Sequence, residues 1–236
     1  MNGAMVEAGD YSGPEGARRV LRNTGVDVAI LETARGGLIR RGIGVARADV
    51  ALITNVDEDH LGESGIVDLN ALVETKLVVR RAVGPDSCLI LNADDPNLVM
   101  RAADLDLPLA WFALSPEPEP IARQLAAGGE AAWLDGESLM LQKDGIRKTV
   151  TTIPEVPIAL GGAARFNIAN ALAAILVANR LGISPVHIAS GLSAFTGSPD
   201  ENPGRGNVFD IGGVRESSWI TLTIRTAFAR YSTWRL

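Results

Sequence analysis

Cysteine occurs once in this 236-residue chain and histidine twice, and lysine supplies only three of the 22 basic residues. The lone Cys88 excludes an internal disulfide and suits a reducing compartment. It sits in the run Cys88-Leu89-Ile90-Leu91 and reads as a plain core residue. No apolar stretch approaches the roughly 20 residues of a spanning helix. The N-terminus, MNGAMVEAGD, lacks the basic-then-apolar pattern of a signal. A cytoplasmic location is therefore expected. A net charge of -6 argues against a nucleic-acid partner or an acidic membrane, because both select a basic face. Hydrophobic residues make up 47% of the chain, ample for a core, and the length fits one large domain or one and a half.

Against that sparse background the stretch Thr54-Asn55-Val56-Asp57-Glu58-Asp59-His60-Leu61 stands out. It follows Val50-Ala51-Leu52-Ile53, which reads as a buried strand of a parallel sheet. Ligands of open α/β sheets collect beyond the carboxyl ends of the strands. Three carboxylates, an amide and an imidazole thus fall where a ligand is expected. His60 can offer a ring nitrogen to a divalent metal while its neighbours orient the ring or add oxygen donors. A polar loop capping the next helix fits the same residues. A metal-dependent hydrolase built on Glu32 and His60 lacks the further histidines that such sites usually use.

Upstream, Ser12-Gly13-Pro14-Glu15 reads as a cap and turn opening a helix to about Asn23. Residues Val26 to Leu31 read as a strand covered on both faces. Glu32-Thr33-Ala34-Arg35-Gly36-Gly37 follows as a loop, and its glycine pair permits a sharp turn or a close approach to a ligand. Downstream, Leu69 to Val83 has helical spacing, with Lys76 beside the apolar stripe. That lysine also fits a plain snorkelling role. Leu89 to Leu91 is expected as a strand, and Pro96 as the opening of a helix. A further strand covers Leu109 to Ala113, and the Pro-Glu alternation after Ser115 reads as a surface connection. A hairpin is expected over Ala132 to Leu141 with Asp135-Gly136 at its turn, extended by Thr149 to Ile153. A strong helix runs from Arg165 to about Leu181, stopped by Gly182. Pro185 opens another helix to about Ala194, on which His187 reads as a surface or half-buried residue.

Five motifs in order resemble the ATP-dependent Mur ligase family, and within it the cyanophycin synthetase subgroup. They are ETARGG at 32–37, TNVDEDHLG at 54–62, Lys76 within ETK, LNADDP at 91–96 and RFNIANALAA at 165–174. Arg165-Phe166 stands where the family usually has Gly-His. The resemblance covers about residues 7 to 214. It implies an α/β fold: a three-layer, mostly parallel sheet with a small antiparallel patch. It also implies a ligase that joins an amine to a carboxylate through an acyl phosphate, using ATP and Mg2+ on a small-molecule or peptide substrate. Glu32 and His60 would be metal ligands. Lys76 would carry a carbamate able to hold a second metal ion, giving a catalytic set of Glu32, His60 and Lys76. Asn167 and Asn170 would meet the adenine edge, and Arg205 would help hold the nucleotide.

Two departures set further expectations. The family's phosphate-binding loop ends in Gly-Lys, and no Gly-Lys dipeptide occurs in this chain. Without that loop and its strand the sheet is expected to expose an edge. At the other end the match stops at Val214, and the last 22 residues resemble a shifted reading frame. The expected layout is therefore a central ATP-binding domain over 1–197, incomplete at its N-terminus. The start of a C-terminal domain follows over 198–236, aberrant after 214. Two readings fit: the central-domain fragment of such a ligase, with weak Mg-ATP binding and no ligation alone, and an inactive nucleotide-binding remnant or a subunit complementing a partner. The amino-acid acceptor and the oligomeric state stay open.

Overall fold

Apolar runs bounded by polar caps build the first unit. The computed structural model describes residues 11–57, 66 and 68–198, and the chain forms two units, Met1–Ala110 and Trp111–Leu236. In the first, β1 (Ala48–Ile53) pairs in parallel with β2 (Val83–Asn92), Val50 opposite Cys88 and Ile53 opposite Leu91. Cys88, Leu89, Ile90 and Leu91 are fully buried, so Cys88 is the core residue that its neighbours imply. Such a continuous apolar run is what a strand covered on both faces needs. Between the two strands lies α3 (Leu69–Leu77), continued by a 3₁₀ turn over Val78–Ala82. Asp68 caps α3, accepting from Ala71 N–H at 2.8 Å, and Leu72, Val73 and Leu77 form its buried face. After β2, α4 (Pro96–Ala102) starts on Pro96, whose missing N–H costs nothing at that position.

The N-terminal part of this unit departs from expectation. Helix α1 (Pro14–Leu21) forms as read, but residues 26–31 make no strand. Val28 is 55% and Ile30 85% exposed. A strand is stable only when its N–H and C=O groups find a ladder partner, and among the described residues this run has none. The expected loop at ETARGG is also partly helical. Helix α2 (Arg35–Arg41) starts where Ala34 C=O accepts from Gly37 N–H at 3.0 Å and Leu38 N–H at 3.1 Å. Arg40 and Arg41 in its last turn suit the negative end of the helix dipole, and Gly42 ends it at φ 70°.

The second unit mixes parallel and antiparallel pairing. Strand β3 (Leu109–Ala113) runs parallel to β4 (Ala131–Asp135), which pairs antiparallel with β5 (Ser138–Lys143), and β5 with β6 (Ile146–Thr152). The fold is thus α/β with parallel pairs and a small antiparallel patch, as expected. Two details differ. The Pro-Glu segment is not only a connection, because it opens α5 (Glu119–Ala126), where Pro120 sits in the first turn that tolerates it. The first hairpin closes on Gly136-Glu137, with Asp135 already paired to Ser138. A second hairpin turns on Asp144-Gly145, both with positive φ as a two-residue hairpin loop requires. Buried Gln142 ties α5 to this patch, its Nε2 donating to Leu125 O at 3.2 Å and Gly129 O at 3.0 Å. Helix α6 (Arg165–Arg180) buries Ile168, Leu172, Ile175 and Leu176, and α7 (Pro185–Ala194) follows. His187 is exposed, its Nδ1 lying 3.0 Å from Ser184 Oγ.

Candidate active site

The carboxyl ends of β1 and β2 converge on one short loop. Residues 54–57 leave β1 without regular structure, and three side chains from other elements hold their backbone. Asn92 Nδ2, at the end of β2, donates to Thr54 O at 3.0 Å. Lys76 Nζ reaches from the last turn of α3 to Asn55 O at 2.8 Å. Asp95 Oδ2 accepts from Val56 N–H at 2.5 Å, while its Oδ1 caps α4 through Asn97 N–H at 2.9 Å and Leu98 N–H at 3.3 Å. A buried backbone group needs such a partner, and Val56 is the buried residue of this loop. Here Thr54, Asn55 and Val56 each receive one from a different residue.

The consequence is a loop of fixed path that presents oxygen atoms. Thr54, Asn55, Asp57 and Asp94 are exposed at this strand end, and Thr54 Oγ1 lies 3.3 Å from Asn55 Oδ1. Hydroxyl, amide and carboxylate oxygens are the hard donors that suit a magnesium ion. Among the described residues no group of three or more His, Cys, Asp or Glu side chains is gathered for a metal ion. His60 lies outside the described residues. Lys76 is half-buried and aimed at this loop, so it does more than snorkel beside α3.

The other site residues divide between the units. Glu32 is exposed in the non-helical run just before α2. In the second unit Asn167 stands in the first turn of α6 and its Nδ2 donates to Ile158 O at 2.7 Å. That bond holds the 3₁₀ segment Pro157–Gly162, in which Leu160 and Gly161 both have positive φ. Asn170, one turn further along α6, is exposed, as is Phe166 at 45%. Arg205 lies outside the described residues. Sequence reasoning quoted Asp95 within its motif but gave it no task. Its signal was an Asp directly before a proline that opens a helix.

Residues 17–178 match the model of the Mur ligase middle domain. The chain belongs to the Mur ligase family. The match contains Glu32, His60, Lys76, Asn167 and Asn170, whereas Arg205 lies beyond it. Among curated relatives, the cyanophycin synthetase of Trichormus variabilis is 38% identical over 208 residues, covering 88% of this chain and 23% of that protein. The Synechocystis cyanophycin synthetase is 36% identical over 212 residues, 90% of this chain and 24% of that protein. Among solved structures, MurF from Acinetobacter baumannii aligns with a TM-score of 0.48 at 24% identity, over 71% of this chain and 32% of that one. The chain therefore spans about a quarter of the length of these cyanophycin synthetases.

Proposed function

We propose that this chain carries the nucleotide-binding part of an ATP-dependent amide ligase, which activates a carboxylate as an acyl phosphate and couples it to an amine. A carboxylate oxygen attacks the γ-phosphorus of ATP and ADP leaves. The amine nitrogen then attacks the acyl carbon, phosphate leaves with the C–O electron pair, and the nitrogen loses a proton. The observation that carries the reading is the bond from Lys76 to Asn55 O at the end of β1, inside the matched middle domain. It puts the chain's one helix-borne lysine of this unit at the strand end where α/β sheets bind ligands.

Glu32, His60 and carbamylated Lys76 are the residues proposed to hold Mg2+, and the exposed oxygens of Thr54, Asn55, Asp57 and Asp94 at the end of β1 suit the same hard cation. The metal supplies charge neutralisation of the phosphate oxygens. Lys76 would first exchange an N–H proton for CO2, giving an anionic carbamate. Only the neutral amine adds CO2, and an ordinary lysine titrates near 10.4. Asn167 and Asn170 are the residues proposed to meet the adenine edge, with Arg205 assisting at the nucleotide. A small-molecule or peptide acceptor, and a cytoplasmic location where ATP is plentiful, accompany this reading. Among the described residues no helix is long and apolar enough to cross a membrane.

Calorimetric titration of the full chain with Mg-ATP is the test. Saturable binding that Lys76→Ala and Asn170→Ala each weaken is the expected result. No heat of binding at millimolar Mg-ATP would sink the proposal. A carbon-13 carbamate resonance in labelled bicarbonate, lost in Lys76→Arg, would identify the modified lysine.

A further inference from the structure

The ligase reading leaves one edge of the second unit without a task. Lys143, Arg147 and Lys148, with two of the chain's three lysines among them, cluster at the second hairpin of a chain whose net charge is -6. Asp144 is the only acid between them. Every residue from Lys143 to Thr149 is exposed, Ile146 at 60%. None of the ion pairs among the described residues uses any of the three cations. Strand β6 is also the end strand of its sheet, and among the described residues no strand pairs with its outer edge. Charge on an edge strand guards against unwanted sheet pairing. A guard needs only charge, however, and this hairpin shows more than that.

The hairpin is tethered, and so is its arginine. Gly145 N–H, in the turn, donates to Gly128 O at 2.9 Å, just past α5. Arg147 Nε donates at 2.9 Å to Oε1 of the buried Gln142, which is itself fixed by Leu125 O and Gly129 O. The guanidinium lies 5.9 Å from the centroid of the Trp133 ring, within range of a cation–π contact. One N–H is thus spent on orienting the fork, and its other donors take no partner among the described residues. A planar fork fixed in this way suits a carboxylate, and little of its freedom remains to be lost on binding. The register sets the neighbours. Arg147 stands opposite Gln142 on one face, whereas Lys148 opposite Leu141 and Ile146 opposite Lys143 share the other.

We propose that the outer edge of β6 takes an extended acidic peptide as an added strand. The peptide backbone pairs with the open edge, and successive carboxylates alternate between Arg147 on one face and Lys148 on the other, directly opposed Cβ atoms lying about 4.5–5.5 Å apart. Ile146 offers an apolar contact on the Lys148 face. The proposal goes beyond the ligase reading and does not rest on it. Its test is fluorescence anisotropy with the full chain at low salt and three labelled probes. They are hexaglutamate, hexaglutamine as its neutral twin, and hexaglutamate N-methylated at every residue, which keeps the charge and cannot donate to a ladder. Only the first is expected to bind, and more weakly as salt rises. Arg147→Gln is expected to weaken binding by about tenfold, and Lys148→Gln by about threefold. The proposal is overturned if hexaglutamate does not bind, if either twin binds equally well, or if both variants keep wild-type affinity. Should Arg147→Gln fail to fold, Lys148→Gln decides, because unchanged affinity there also overturns it. Tighter binding of a hexathymidylate than of hexaglutamate would give the edge to nucleic acid and overturn the peptide assignment.

Discussion

Asp95 in the first unit and Glu130 in the second are both buried, at 7% and 6% exposure, yet they meet the cost of burial differently. Asp95 takes three backbone N–H groups, from Val56, Asn97 and Leu98. Glu130 takes side chains, the amide of Asn179 and the guanidinium of Arg180, both at the end of α6. A buried carboxylate must be hydrogen-bonded or paired, and both solutions satisfy that rule. They teach different things about what the acid is for. Backbone amides cannot move without the chain, so Asp95 fixes the path of the 54–57 loop and the start of α4 together. Side chains can rotate away, so Glu130 joins α6 to the start of β4 without defining a loop.

The largest effect is therefore expected at Asp95. Removing its side chain in Asp95→Ala costs a helix cap worth about 1 kcal/mol and strands the buried Val56 N–H, worth about 1–3 kcal/mol more. Urea unfolding should show a loss of about 2–4 kcal/mol, and Mg-ATP affinity should fall with it because the loop loses its tether. Asp95→Asn keeps one acceptor oxygen for the helix cap but turns its NH2 toward Val56 N–H, so it should recover only the cap's share of the loss. If Asp95→Ala unfolds at the wild-type urea midpoint, backbone satisfaction is not what holds this loop.

Glu130→Gln comes next and sharpens the contrast. It leaves Arg180 without its carboxylate, but the Arg180 side chain is 29% exposed and can turn to water. Loss of one partner of a fully buried pair costs about 3–5 kcal/mol, so about 1–2 kcal/mol is expected here after solvent screening. Mg-ATP affinity should change by no more than about twofold, as for independent sites. A larger drop in affinity than in Asp95→Ala would reverse the assignment of roles.

The difference between the two acids also marks where the sequence was legible. The short apolar run at 88–91 reported its own burial, because a strand covered on both faces has no polar register to hide it, whereas at 50–53 only Ala51 and Ile53 are buried and Val50 and Leu52 are half-buried. Gly182 after the apolar face of α6 located that helix's end. Lys76 was legible through its motif, though not its bond to Asn55. Asp95 was visible only as the residue before Pro96. Its main partner, Val56, lies 39 residues earlier, and no local pattern announces a contact at that separation. Residues 26–31 failed in the opposite way. A mostly apolar run there promised a strand, but strands need a second chain segment, and propensity cannot supply one. The hairpin slipped by one residue because Asp135-Gly136 and Gly136-Glu137 both resemble turns, and cross-strand pairing decided between them.

A third carboxylate repeats the chemistry of Asp95 without its burial, and the smallest effect is expected there. Glu155 is exposed, and its Oε2 accepts from Thr151 Oγ1 at 3.0 Å and from Thr152 N–H and Oγ1, each at 3.1 Å. The Thr151 hydroxyl, followed by the Thr152 backbone and hydroxyl, holds its carboxyl below the usual glutamate range. The sign of the pH effect follows. Above the unfolded value both states are ionised and the folded state keeps its three bonds in full. As pH falls, the unfolded chain takes up the proton first, and the contribution fades until the lowered folded value is passed. The difference in melting temperature between wild type and Glu155→Gln should therefore be constant from neutral pH down to about 5 and close below that. It should also be smaller than the shift from Glu130→Gln, since water replaces lost bonds at an exposed site. A difference that widened on acidification would mean that the neutral carboxyl, not the carboxylate, is the form the fold prefers.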